Sequence, residues 1–202
     1  MPIDRTPPPP RAKGDQVSLV DSFRRLAAWL KDHDAVGLMQ SLSPGAKPIQ
    51  LSKLEQKLGF TVPPGLRALW LMHDGQRRKD DSIIGTLHLL PVAWVLNERP
   101  ATLTLLKRVR AEPAALKKSG LTVEEAQSDK WLPVASRGKE CVIVNSTTGR
   151  VFAGSETSPF LRLLAGSVPQ WMEAYVSEVE RDQYGLVLGA DGAFLERLAP
   201  SP

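Results

Sequence analysis

The residues with the strongest claim to chemistry are Ser136, Lys139, the three histidines His33, His73 and His88, and the single cysteine Cys141. Ser136-x-x-Lys139 has the spacing at which a serine nucleophile and a lysine base share one helix face. Here Gly138 lies between them and apolar runs flank them, Trp131 to Ala135 and Cys141 to Val144, so the pair is expected in a turn between strands. A Ser-Asp-Asn or Lys-Thr-Gly companion is absent from the sequence. His33-Asp34 and His73-Asp74 are chain neighbours, whereas a histidine oriented by a carboxylate meets it through the fold; both pairs read as helix ends. Positions 33, 73, 88 and 141 lack the paired spacing of a zinc site, and no glycine-rich phosphate loop is present. The expectation is a chain with no catalytic residue, no metal site and no cofactor.

Binding is the remaining chemistry. The most polar loop runs from Arg77, Arg78 and Lys79 into Asp80 and Asp81. Opposite charges this close partly cancel, which weakens a phosphate site and marks the loop as a candidate contact with a protein partner. A second basic stretch, Lys107 to Lys118, holds five Lys and Arg against Glu112 alone and reads as a solvated helix face. Overall the chain carries +4, unevenly: residues 1–150 have 23 Lys and Arg against 15 Asp and Glu, and residues 151–202 have 3 against 7. Such a basic body could meet nucleic acid or an acidic protein surface, since net charge sets encounter rate without choosing the partner. Basic residues interleave with acids and no recognition motif stands among them, so no sequence-specific nucleic-acid binding is expected. Trp70, Trp94, Trp131 and Trp171 sit in apolar stripes and read as core rather than as a base-stacking platform.

These residues need a scaffold, and 202 residues with 42% hydrophobic content suffice for one domain. Residues 1–14, with Pro7 to Pro10, offer nothing to a core and are expected to be a disordered tail before a single domain over 15–202. Without an apolar run long enough for a membrane span or an N-terminal signal, the expected location is the cytoplasm, away from membranes. Leu19, Phe23, Leu26 and Leu30 mark a first helix capped by Asp15. Leu51, Leu54 and Leu58 mark a second, stopped at Gly59, and Pro63-Pro64 begins a third that ends at Asp74-Gly75. Ile83 to Leu90 reads as a strand, and 92–118 as helix broken before Pro113. Three strands follow, 131–135, 141–144 and 150–153, joined by Gly-containing turns into a β-meander; a helix then starts at Ser167 and Pro169. Residues 185–198 fit a hairpin or a last helix. The fold class expected is α+β, a mainly antiparallel central sheet with helices packed on one face.

The order of these signals resembles the SUKH superfamily. Leu54, Glu55 and Gly59, then Pro63, then Asp74 and Gly75 are similar to its N-terminal pattern; Trp131, Pro133, Gly149, Val151 and Phe152 are similar to its Trp-x-Pro and Gly-x-Val-Tyr strands. The likeness spans roughly residues 49–180. It implies a non-catalytic protein-binding domain, in its bacterial members mostly an immunity protein that neutralises a cognate protein toxin, and in others an intracellular scaffold or regulator. The first helix and the 100–128 segment exceed what a minimal domain requires and read as elaborations.

Overall fold

Apolar spacing decides where the first helices sit. The computed structural model describes residues 13–77, 81–189 and 192–199; most of the tail expected at 1–14 lies outside them. Helix α1 (Lys13–Asp32) turns Leu19, Phe23, Leu26 and Leu30 inward, each at most 4% exposed. It starts two residues before Asp15, which therefore stands inside the first turn and not at the cap. A short α2 (Val36–Gln40), unmarked in the sequence, leads to α3 (Pro48–Leu58). Gly59 ends α3 at φ 75°, and its N–H donates to the Glu55 carbonyl at 2.9 Å. Helix α4 (Pro64–Met72) begins on proline and buries Leu66, Leu69 and Trp70.

The strand expected over Ile83 to Leu90 shrinks to β1 (His88–Leu89). Gly85 adopts φ +57° and the Leu87 N–H donates to the Ile84 carbonyl at 2.8 Å, folding 84–87 into a tight turn. Ile83 and Ile84 are buried in the core, so their apolar character answers to packing and not to sheet pairing. A 3₁₀ turn (Val92–Trp94) opens α5 (Val95–Ala111), then α6 (Pro113–Ser119), with the break at Pro113 as expected, and α7 (Val123–Gln127).

The meander is β2 (Trp131–Arg137), β3 (Glu140–Asn145) and β4 (Val151–Ser155), extended by β5 (Arg162–Ala165). Together with β1 these strands form a five-stranded antiparallel sheet in the order β1-β2-β3-β4-β5. Opposite residues share a face: Leu132 pairs with Val144 and Val144 with Val151, while Pro133 pairs with Ile143 and Ile143 with Phe152. Leu132, Val144 and Val151 join the core built by α1, α3, α4 and α8 (Val168–Glu180). Ile143 and Phe152 join a second cluster, with Trp131 and with Leu105, Leu106 and Val109 of α5. Helices thus cover both faces of the sheet, where one covered face was expected. β2 is buried over its first five residues without alternation, the signature of a strand covered on both sides. The chain ends in the hairpin alternative, β6 (Tyr184–Gly189) and β7 (Gly192–Arg197).

Candidate functional site

The residues singled out from the family pattern fall at joints. Glu55 Oε1 accepts from the Val62 N–H and from Arg67 Nη1, both at 2.9 Å, tying the end of α3 to α4 across Pro63. Leu54 is core. Asp74 Oδ1 accepts from the Val92 N–H at 2.7 Å, and Gly75, at φ +69°, passes so near Pro91 that a Cβ would lie 2.3 Å from its nitrogen. Trp131 is fully buried and its Nε1 donates to the Glu125 carbonyl at 3.3 Å. Pro133 adjoins the β2 bulge, and Gly149, at φ +76°, closes the turn before Val151 and Phe152.

The polar loop has a fixed start and a fixed end. Arg77 is exposed; its N–H donates to the Ser41 carbonyl at 2.8 Å and its Nη2 to the Leu42 carbonyl at 3.3 Å. Arg78, Lys79 and Asp80 lie outside the described residues. Asp81 is 8% exposed, and its Oδ1 accepts from the Ala193 N–H at 3.1 Å, which fastens the loop to β7. Ser82 continues the attachment, donating its N–H to the Ala193 carbonyl at 2.9 Å.

Directly after the loop, the 84–87 turn forms one wall of a cavity of about 500 Å³. Its other walls are the ends of β3, β4 and β5, one side of α8, and the terminal hairpin. Tyr175 sets the geometry: its hydroxyl donates to the Ile83 carbonyl at 2.8 Å and accepts from the Gly85 N–H at 2.9 Å. Burial drives its phenol far above the ordinary range, so it stays protonated and works as a pin. Tyr184 meets it edge-on, ring centres 5.2 Å apart, and burial also raises the Tyr184 phenol. At the mouth, Arg197 faces Glu178 at 3.5 Å, while Arg162 is exposed. Burial pushes the Cys141 thiol up to about 11, which removes its nucleophilic form at neutral pH.

The residues considered for catalysis stay apart. Ser136 lies on β2 and Lys139 in the β2–β3 turn. His33 stacks on Trp29 with ring centres 3.8 Å apart, and His73 sits against Phe23 with Nδ1 3.3 Å from the Ser43 carbonyl. His88 Nδ1 lies 3.4 Å from the Asp81 carbonyl. Among the described residues no group of His, Cys, Asp and Glu could hold a metal ion, and no helix is long and apolar enough to cross a membrane. In the basic stretch, Lys118 caps the Phe160 ring at 3.8 Å and Arg110 pairs with Asp129 at 2.8 Å, while Lys107, Arg108 and Lys117 are exposed.

Residues 45–174 match the SMI1 / KNR4 family (SUKH-1). The chain belongs to this family. No curated protein matches the sequence. The SUKH-1 match begins before α3 and stops within α8, so the terminal hairpin that closes the cavity lies beyond it. It includes α5, α6 and α7, so the segment read as an elaboration belongs to the matched region and covers the second face of the sheet. One polar site inside it went unnoticed in the sequence. Glu125, fully buried, pairs with Arg150 Nη1 at 2.6 Å and accepts from Thr148 Oγ1 at 2.6 Å and the Thr122 N–H at 2.9 Å. The Thr-x-x-Glu capping box over 122–125 was its available signal.

Proposed function

We propose that this SUKH-1 protein is a non-catalytic, protein-binding domain whose task is to neutralise a cognate protein toxin as its immunity partner. Membership of the family over residues 45–174 carries this reading. The contact surface assigned is the loop Arg77, Arg78, Lys79, Asp80 and Asp81 with the cavity mouth beside it. Asp81 fixes the loop end by its bond to Ala193, and Arg77 is exposed at the loop's start. A basic body suits an acidic or mixed toxin surface, where complementary charge speeds association. No chemical step is needed for such a function, which requires only that one surface of the toxin be occluded or distorted.

The test is co-expression with the toxin encoded beside this gene. Cells should survive, and the purified proteins should form a stable complex. Reversing the charge of Arg77, Arg78 and Lys79 together should slow association, while Ser136→Ala and Lys139→Met should leave protection intact. Loss of protection on either of the last two changes, with folding unaltered, would contradict a purely binding role.

A further inference from the structure

Three features converge at β5. First, β5 is the last strand of its sheet: β4 pairs with one edge, and no strand among the described residues pairs with the other. Its Leu163 is 46% exposed. An unpaired edge presents a row of backbone N–H and C=O groups that templates an extended chain. Second, the 500 Å³ cavity opens beside this edge, with Leu164, Val142 and Trp171 among its apolar walls and Glu140, Ser155 and Glu178 among its polar ones. That volume falls within the roughly 300–1,000 Å³ of binding cavities. Ala174, exposed on the α8 wall, contributes only a methyl group and keeps the space open. Third, Arg162 is exposed at the mouth and has no ion-pair partner among the described residues, whereas the neighbouring Arg197 already faces Glu178.

The geometry points to an extended segment of the protein partner as the occupant: it lays its backbone along the free edge of β5, inserts an apolar side chain into the cavity and sets an acidic residue on Arg162. This rests on the protein-binding reading above and names the chemistry of what is bound. Each observation fixes one property of the segment. The edge requires an extended backbone, the apolar part of the walls an apolar side chain, and the unmatched guanidinium a carboxylate. A small apolar molecule would leave the edge unpaired. Two copies joined through β5 would offer Arg162 no acid from the paired strand, since Arg162–Ala165 carries none.

The probe is a capped pentapeptide of sequence Thr-Phe-Val-Glu-Val, titrated into the full-length, isotope-labelled protein and followed by amide chemical shifts. Saturable shifts centred on Arg162 to Ala165, Ala174 and Tyr184 are expected. Affinity should fall at least tenfold in Ala174→Trp, which fills the cavity from an exposed position, and in Arg162→Glu. It should fall likewise when the peptide is N-methylated on alternate residues to block backbone pairing. Unchanged circular dichroism melts show that each variant is folded; should Ala174→Trp not fold, Ala174→Leu replaces it. Absence of shifts at β5, or equal binding by the N-methylated peptide, overturns the proposal. So does concentration-dependent dimerisation abolished by Ala174→Trp, which would place a second copy of the chain there, and so does occupation of the cavity by indole-3-acetate with no peptide binding. Toxin protection is scored separately. A peptide bound at β5 without protection leaves this inference standing and refutes the immunity role, and protection without peptide binding at β5 does the reverse.

Discussion

Replacing Arg150 with methionine should cost more than any single surface change in this protein, and the reason is its partner. Glu125 is fully buried, and among the described residues Arg150 supplies the one formal positive charge bonded to it, at 2.6 Å. Thr148 Oγ1 and the Thr122 N–H remain after the change, but neither carries charge. Removing one partner of a buried pair leaves an uncompensated charge and costs roughly 3–5 kcal/mol. The Arg150 side chain is 22% exposed, so water can reach part of the vacated space, which argues for the lower end, about 3 kcal/mol. For a chain of this size that is a fall in Tm of about 6–12 °C. Urea unfolding at pH 7 measures it, and the double variant with Glu125→Gln completes the cycle. Because the glutamine carries no charge to leave stranded, Glu125→Gln with Arg150→Met should lose less than the two single losses added together, by about 1–3 kcal/mol. A loss under about 1 kcal/mol for Arg150→Met, the level of an exposed pair, would refute the argument, as would strict additivity.

The remaining tests concern single positions. Gly75→Ala must take φ +69° and place a Cβ 2.3 Å from the Pro91 nitrogen; a loss of about 3 kcal/mol or more in denaturant unfolding is expected, and near-neutrality would show that the chain relaxes there. Burial holds His73 below its ordinary value of 6.5, so protonation favours the unfolded chain. Its neutral form contributes stability that is present above pH 6.5 and declines as pH falls below it; His73→Phe should flatten that decline below pH 6.5. Cys141, with its thiol near 11, should react slowly with a disulfide reagent at pH 8 in the folded protein and rapidly once unfolded.

Local signals carried the helices and the meander because each was written in the residues themselves. Gly59 and Gly75 need positive φ, Pro64 and Pro113 start helices, and Ser167 accepts from the Gln170 N–H as the cap of α8. Where the sequence misled, a tertiary demand had imitated a local one. Ile83 and Ile84 are apolar because they fill the core, yet the Gly85 turn keeps them out of the sheet. The unbroken apolar runs Trp131 to Ala135 and Cys141 to Val144 reflect burial from both sides, and α5 supplies the second cover. β5 escaped notice since Arg162 to Ala165 is four residues with neither alternation nor β-branching. The cavity was beyond the reach of sequence altogether: its walls come from separate segments of the chain, 84–87, 140–142, 153–164, 171–178, Tyr184, Leu195 and Arg197.

The family pattern and the proposed site use different residues, and this separation has a physical basis. Glu55, Asp74, Gly75, Trp131 and Gly149 act through buried or part-buried hydrogen bonds or backbone geometry, so changing any of them disturbs a joint and threatens the fold. Arg162 and Ala174 are exposed and take part in no joint; substitutions of that kind usually stay within about 0.5 kcal/mol. A fold built this way can keep its scaffold while the cleft changes its shape and charge, and specificity for one partner over another needs only such changes. The expectation is therefore a clean division in one set of variants. Gly75→Ala should lower Tm, and its folded fraction should retain peptide affinity at β5. Arg162→Glu and Ala174→Trp should hold Tm within error and lose that affinity. If Arg162→Glu or Ala174→Trp instead melts early, the cleft is part of the structural framework, and its open shape reflects stability and not recognition.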